Sequence, residues 1–417
     1  MKALTYERYG PPDVVRIEEV ARPILRPNEL LIRVHASAVN TSDWRVRAAA
    51  FHGISALPAR FIFGLFRPRN TRLGSEFSGV IEAVGADVKR FVPGQRIFGI
   101  TSKGGASAEY LALSETAAIA ELPGDLSFEE AAALPFGGLA ALVFFEQFAA
   151  LKANQHTLIA GASGGVGIYA VQVAKALGAH VTGLSGPDSQ ALVSSLGADV
   201  TLNYKLNRLS DIADRFDVIL DTVGVVSPGQ ARKLLSSGGL FLPLNVGMRE
   251  LVAALFNPFF DCKVRLAVNP NTAKDLLRLA GLGRDGKVQP VIDTVYPLSE
   301  ASAAHAHVET RHRKGAIILS IQNQGAAAAQ LRAQWPAQSR HPAAGRVSAA
   351  AACIADIRRN RKIRWRADSQ IADLADIGFS SLADAASVRA RSMLSIAPLN
   401  MSSLRSFAGS ISFEPTT

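Results

Sequence analysis

The sequence predicts an α/β protein: a doubly wound parallel sheet, preceded by a barrel-like all-β unit and followed by a low-complexity tail. Three observations predict it. A short apolar run, Thr157-Leu158-Ile159-Ala160, ends in the turn GASGGVG, and IYAVQVAKALGA follows with apolar residues at helical spacing. From 156 to about 248, strand-like and helix-like segments alternate, as βα units on a parallel sheet do. Between 74 and 100, short β-rich runs are punctuated by Gly79, Gly85, Gly94 and Gly99 at loop spacing.

Taken in order, residues 1 to about 45 read as strands, with Leu30 to Val39 the most β-rich and two prolines breaking the stretch before it. Asn40-Thr41-Ser42-Asp43-Trp44 reads as a polar turn. Residues 50 to 72 set Phe61, Phe63 and Phe66 among Arg60, Arg67, Arg69 and Arg72. They read as a loop packed over the body, with a flap over an apolar substrate pocket as the alternative; a membrane-surface segment comes third, for want of a clean amphipathic helix. Phe128 to Ala149 reads as helix, with Ser127 as N-cap and Glu129-Glu130 in the first turn. Further strands are expected at Val181–Leu184, Val200–Leu202, Phe216–Leu220, Gly239–Leu244, Val288–Val295 and Ala316–Ile321. Helices are expected at Asp188–Leu196 and Ser299–Glu309.

A chain of 417 residues has room for two or three domains with ample cores. It is 48% hydrophobic and 19% charged, which suits a packed protein better than a disordered one. Its two cysteines, Cys262 and Cys353, argue against a disulfide framework and against a multi-cysteine zinc site within one chain. The start MKALTYERYG has no apolar core of a leader, and the run Ala131 to Phe145 is too short and broken to span a bilayer. A cytoplasmic protein with no membrane span is expected. The net charge of +10 is uneven: residues 324–417 carry 12 Lys+Arg against 6 Asp+Glu. That tail is rich in Ala, Arg, Ser and Gln and reads as largely disordered. Its run Arg358 to Arg366 reads as a solvated charge run, so no nucleic-acid partner is expected.

The chemistry lies in the glycine turn, Ala162-x-Gly164-x-x-Gly167, with alanine in place of the usual first glycine. Between a strand and a helix, such a turn lets the backbone approach a pyrophosphate, and the helix N-terminus offers it unpaired N–H groups. Ala162, Ser163, Gly164, Gly165, Val166 and Gly167 are therefore candidate cofactor-binding residues. An NAD site usually ends its second strand in Asp or Glu. Here that end is Leu184-Ser185-Gly186, with no carboxylate to repel a 2′-phosphate and Ser185 able to donate to one. Asp188, three residues on, reads as a helix cap. NADPH is thus favoured over NADH. Val223 and Gly224, after one strand, and Asn245, after the next, are further candidates.

Five blocks together resemble the medium-chain dehydrogenase/reductase superfamily, and within it the zinc-free quinone oxidoreductase-like branch. They are Asn40-Thr41-Ser42-Asp43, GSEFSGVIEAVGADVKRFVPGQRIFG, GASGGVGIYAVQVAKALGA, FDVILDTVG with SSGGLFLPLN, and PVIDTVYPLSEASAAHAHVETRHRKGAIILS. They cover residues 1 to about 322. The resemblance implies a GroES-like β-barrel domain over 1–125, a Rossmann dinucleotide-binding domain over 126–264, a return to the barrel over 265–323, and the tail 324–417. It implies a cofactor and substrate cleft between the two domains, and a homodimer. It places Tyr204 near the 2′-phosphate, and Asn40 and Asp43 beside the nicotinamide as candidate catalytic residues; a self-capping turn is the other reading of that pair. Basic residues that relatives often carry near Gln190 are missing here.

Zinc-dependent relatives carry a cysteine where this chain has Asn40 and a histidine where it has Ser75, so only Glu76 of that set remains. No zinc is expected. Without a metal, hydride transfer suits an acceptor already electron-poor, a quinone or an α,β-unsaturated carbonyl. None of the six tyrosines has a lysine four residues on, which excludes the short-chain reductase solution for alcohols. The expected activity is therefore an NAD(P)H-dependent quinone or enone reductase. The alternatives are a non-catalytic NADPH-binding protein of the same fold and a zinc-free alcohol dehydrogenase-like enzyme. Two departures from the branch, Ala140-Ala141 and Lys314-Gly315-Ala316, bear on substrate and affinity more than on the fold.

Overall fold

The computed structural model describes residues 1–51 and 56–322. The expectations for the tail 324–417 lie outside the described residues. The elements are β1 (Lys2–Thr5), β2 (Arg16–Glu19), β3 (Glu29–Val39), α1 (Thr41–Ala48), α2 (Ala56–Phe63), β4 (Glu76–Val84), β5 (Arg96–Ile100), β6 (Tyr110–Ser114), β7 (Ala118–Glu121), α3 (Phe128–Ala133) and α4 (Pro135–Val143). Then come β8 (His156–Ala160), α5 (Gly167–Ala176), β9 (His180–Ser185), α6 (Gln190–Ser195), β10 (Val200–Asn203), β11 (Phe216–Asp221), α7 (Pro228–Leu234), β12 (Leu235–Pro243), α8 (Met248–Leu255) and β13 (Lys263–Val264). The chain closes with α9 (Ala273–Arg284), β14 (Ile292–Pro297), α10 (Ala301–Glu309) and β15 (Ala316–Ser320).

Two large sheets result. The six-stranded sheet runs β10-β9-β8-β11-β12-β13, and all its pairs are parallel. Counting β8 as the first strand, the order is 3-2-1-4-5-6, that of a doubly wound dinucleotide-binding sheet. Leu158, Ile159 and Ala160 of β8 are fully buried because helices cover both faces. Residues of α4, α5 and α9 share one core with the sheet, and those of α7 and α8 share another. The second sheet runs β14-β15-β3-β4-β5-β7, with β6 also paired to β3. It is the GroES-like β-rich unit, and β15 returns to it by pairing antiparallel with β3, Ile318 opposite Ala38. Among the described residues no helix is long and apolar enough to cross a membrane.

Several elements differ from expectation, each for a local reason. Asn40 to Trp44 is not a free turn. Asn40 caps α1, its side chain accepting from the backbone N–H of Ser42 and Asp43, and Asp43 returns a bond to the Asn40 N–H. This reciprocal box starts a helix where composition shows only polar residues. Residues Ala56–Phe63 form α2 rather than loop, and the Phe51 and Phe63 rings stack with centroids 5.4 Å apart. The strand expected from Val288 begins at Ile292, because the N–H groups of Lys287 and Val288 bond back to Leu282 at the end of α9 and Pro290 has no N–H to give. β12 starts at Leu235 rather than Gly239. Asp188 caps nothing: it lies in a one-turn 3-10 segment, Pro187–Ser189, and neither this segment nor α6 has a side-chain cap. Ser127 does cap α3, accepting from the Glu130 N–H at 3.1 Å while Glu130 accepts from the Ser127 N–H at 2.8 Å. Pro135 ends α3 and opens α4.

Candidate functional site

The strand order of the parallel sheet reverses between β8 and β11, whose last residues, Ala160 and Asp221, are paired. A crevice opens at the carboxyl ends of strands at such a point. The glycine turn leaves β8 there and enters α5. Gly167 is required: a Cβ would lie 2.0 Å from the Gly161 carbonyl oxygen and 2.7 Å from the Ala162 backbone. This contact presses the start of α5 against the strand end. The backbone N–H groups of Ser163, Gly165 and Val166 make no hydrogen bond to the described residues. Together with the helix N-terminus they form a cradle for an anion, which fits the pyrophosphate of a dinucleotide.

The end of β9 gathers a second group. Ser185 is buried, and its Oγ accepts from Gln190 Nε2 at 2.8 Å. The Tyr204 ring stands beside Gly186, where a Cβ would meet it at 3.4 Å. Lys314 reaches the same place from the C-terminal segment, donating its Nζ to the Asp188 carbonyl at 2.8 Å. The sequence shows no basic residue near Gln190, and Lys314, notable there only as a departure from the branch, lies 126 positions from Asp188. Local sequence carries no signal for a contact of that separation.

A third group forms at the ends of β11 and β12. Asp221 ties down its loop, accepting from the N–H groups of Val223 (3.0 Å), Gly224 (2.7 Å) and Val226 (2.7 Å). Asn245 donates to the Thr222 carbonyl at 3.2 Å. A Cβ on Gly161 would meet Val223 at 2.6 Å, so this loop lies against the glycine turn.

The opposite wall comes from the β-rich unit. All hydrogen-bonding positions of the Asn40 amide are in use: Oδ1 caps α1, and Nδ2 donates to Ser75 Oγ and Glu76 Oε2, each at 2.8 Å. Glu76 Oε1 accepts from the Phe136 N–H at 2.7 Å. Burial pushes the Glu76 carboxyl up to about 8, against the pull of its Asn40 and Phe136 hydrogen bonds. Burial likewise pushes Asp43 up to about 6, opposed by the Asn40 N–H, Ser75 and the Arg313 charge. Arg313 is the joint between the walls. It donates to the Val39 carbonyl (3.1 Å) and Thr41 Oγ1 (3.0 Å), and a Cβ on Gly165 would lie 2.6 Å from its Nη2. Arg313 therefore bridges the Asn40–Asp43 segment and the glycine turn, while Ser185 and Tyr204 lie at the end of β9 and Val223, Gly224 and Asn245 at the ends of β11 and β12.

Two family models match the chain: an alcohol dehydrogenase GroES-like domain over residues 26–155 and a zinc-binding dehydrogenase over residues 196–319. The pig quinone oxidoreductase is 31% identical over 335 residues, covering 76% of this chain and 95% of its own length. The tomato 2-methylene-furan-3-one reductase is 32% identical, covering 76% of this chain and 79% of its own length. The solved quinone oxidoreductase of Coxiella burnetii superposes with a TM-score of 0.69 at 28% identity, covering 77% of this chain and 99% of its own. The chain belongs to the quinone oxidoreductase-like branch of the medium-chain dehydrogenase/reductase superfamily. Membership makes it an oxidoreductase. Its residues do not fit a catalytic zinc, although one matching model carries that description. Such a zinc needs about three protein ligands. Here the positions hold an amide, a hydroxyl and one carboxyl, and the amide N–H groups point at the other two.

Proposed function

We propose that this reductase transfers a hydride from NADPH to a quinone or an α,β-unsaturated carbonyl without a metal. The observation that carries the reading is the free N–H cradle of Ser163, Gly165 and Val166 at the sheet's switch point, facing the wall of Asn40 and Asp43. The bound nicotinamide would supply the hydride; the chain binds, orients and shields. Ala162 to Gly167 would cradle the pyrophosphate. Ser185, Tyr204 and Lys314 would receive the 2′-phosphate, one cation and two hydroxyls in place of the carboxylate that would repel it. Val223, Gly224 and Asn245 would flank the nicotinamide.

We assign Asn40 a positioning role. Its amide has no hydrogen-bonding position left for an acceptor, but it holds the start of α1, Ser75 and Glu76 in register with Asp43. The lack of a Lewis acid in this donor set favours an acceptor that is already electron-poor over a saturated alcohol. The tomato relative is named a 2-methylene-furan-3-one reductase, a name that describes an alkene conjugated to a ketone, and the pig relative a quinone oxidoreductase, which supports both acceptor classes. The test is a fluorescence titration of NADPH against NADH, then turnover with a panel of quinones and short enones. Tighter NADPH binding with turnover of at least one class is expected. Tight cofactor binding with no acceptor reduced removes the catalytic half of the reading; preference for NADH removes the cofactor half.

A further inference from the structure

Arg45, on α1, reaches across the cleft and donates its Nη2 to Asn245 Oδ1 at 2.6 Å. Among the described residues it forms no ion pair, and its Nε, like that of Arg47, is buried without a hydrogen-bond partner. Arg47, one helical half-turn on, shows the contrast. It is fully buried and pairs with Glu309 at 2.6 Å while also donating to the Gly10 carbonyl. The fold thus supplies a carboxylate to the arginine it uses as structure and none to the arginine that faces the strand ends.

A second unpaired cation stands beside it. Arg311 presses electrostatically on Arg45, donates to the Val223 carbonyl at 3.2 Å and forms no ion pair among the described residues. It holds a left-handed backbone, φ 60°, at the end of α10, a position glycine usually fills. Both guanidinium groups lean on neutral oxygens of the two loops, Val223 and Asn245, that close the crevice. Arg45 is half-buried and Arg311 is exposed. A half-buried guanidinium without a counter-charge is costly until an anion reaches it, and its planar fork matches a carboxylate. The dinucleotide phosphates have their own places at the glycine turn and the β9 end, so neither cation is needed for them.

We propose that the acceptor of this enzyme carries a carboxylate, which Arg45 receives together with Arg311 at the seam between the two walls. The proposal rests on the hydride-transfer reading above and names the substrate class of that site. Arg45 is then a specificity-determining residue.

The test uses the full chain and two matched pairs. In the first, equilibrium binding of 4-oxopentanoate and of 2-pentanone is measured by calorimetry, with and without NADP⁺. In the second, 4-oxopent-2-enoate and 3-penten-2-one are compared as acceptors. The carboxylate member of each pair is expected to be favoured by about ten-fold or more, the scale of a hydrogen bond to a charged group. Arg45→Gln is expected to remove most of that preference, raising KM for the charged acceptor far more than for the neutral one, and Arg45→Lys to retain part of it. Charge-blind binding by the natural protein overturns the proposal, as does an Arg45→Gln penalty equal for both members. Absence of turnover with every acceptor defeats the hydride-transfer reading, while the calorimetric pair still decides the carboxylate site.

Discussion

Glu76→Gln tests the electrostatics of the wall opposite the glycine turn. Glu76 is buried, with both oxygens accepting from N–H donors, Phe136 at 2.7 Å and Asn40 at 2.8 Å. Its ordinary value is 4.5, and burial pushes it up to about 8 in the fold. Below its ordinary value the folded and unfolded chains both hold the proton. Between the two values only the folded chain does, so stability falls as pH rises, by about 1.4 kcal/mol per pH unit. Above about 8 both forms are ionised and this dependence ends. The full span sets a ceiling of about 5 kcal/mol. Relaxation of the wall and water entry reduce it, and a loss of about 2 kcal/mol between pH 5 and 8 is the expected scale. Asp43, pushed up to about 6, adds a loss of the same sign over a lower range. In Glu76→Gln the new amide sets an N–H against one of the two donors, at a cost of about 1–3 kcal/mol. The variant should therefore be less stable at pH 5 and flatter toward pH 8. Urea unfolding at unit steps from pH 5 to 8, followed by tryptophan fluorescence, measures this. A natural protein equally stable at pH 5 and 8, or a variant with an unchanged slope, refutes the reasoning.

Other perturbations follow from the same geometry. Gly167→Ala drives a Cβ to 2.0 Å from the Gly161 carbonyl oxygen; the turn must shift, and NADPH affinity should drop at least about ten-fold in a fluorescence titration. Lys314→Met removes the cation at the β9 end and should weaken NADPH by about ten-fold while leaving NADH nearly untouched, which competitive titration of the two cofactors reads directly. Asn40→Ala deletes the α1 cap and one of the hydrogen bonds that hold Glu76 down, so Glu76 should titrate higher still; a melting curve about 1 kcal/mol less stable and a later pH midpoint are expected. Ser127→Ala removes the α3 cap, which makes no hydrogen bond to the glycine turn, and should cost about 1 kcal/mol in thermal unfolding without altering NADPH affinity.

Much of this molecule was legible along the chain because its signals are local. The β8–turn–α5 unit needs only adjacent residues, an apolar run, glycines and a helical repeat, and each is written contiguously. The Ser127 cap and its Glu130 partner are likewise three residues apart. Elements whose boundary depends on a return bond were misread: α1 begins only because Asp43 bonds back to the Asn40 N–H, and β14 starts late because α9 claims the N–H groups before it.

What the sequence by itself determined is the frame for the chemistry: a doubly wound sheet with a glycine turn between β8 and α5, no carboxylate at Ser185-Gly186, and an amide, a hydroxyl and one carboxyl at Asn40, Ser75 and Glu76. Residue type and spacing decide those properties, because they depend on what a position can donate, accept or ligate. Only the tertiary structure decided which charges meet. Lys314 at the β9 end, Arg313 between Thr41 and Gly165, and Arg45 against Asn245 each join segments more than a hundred residues apart. Charge pairing and desolvation act over a few ångströms of space, and distance along the chain does not predict them.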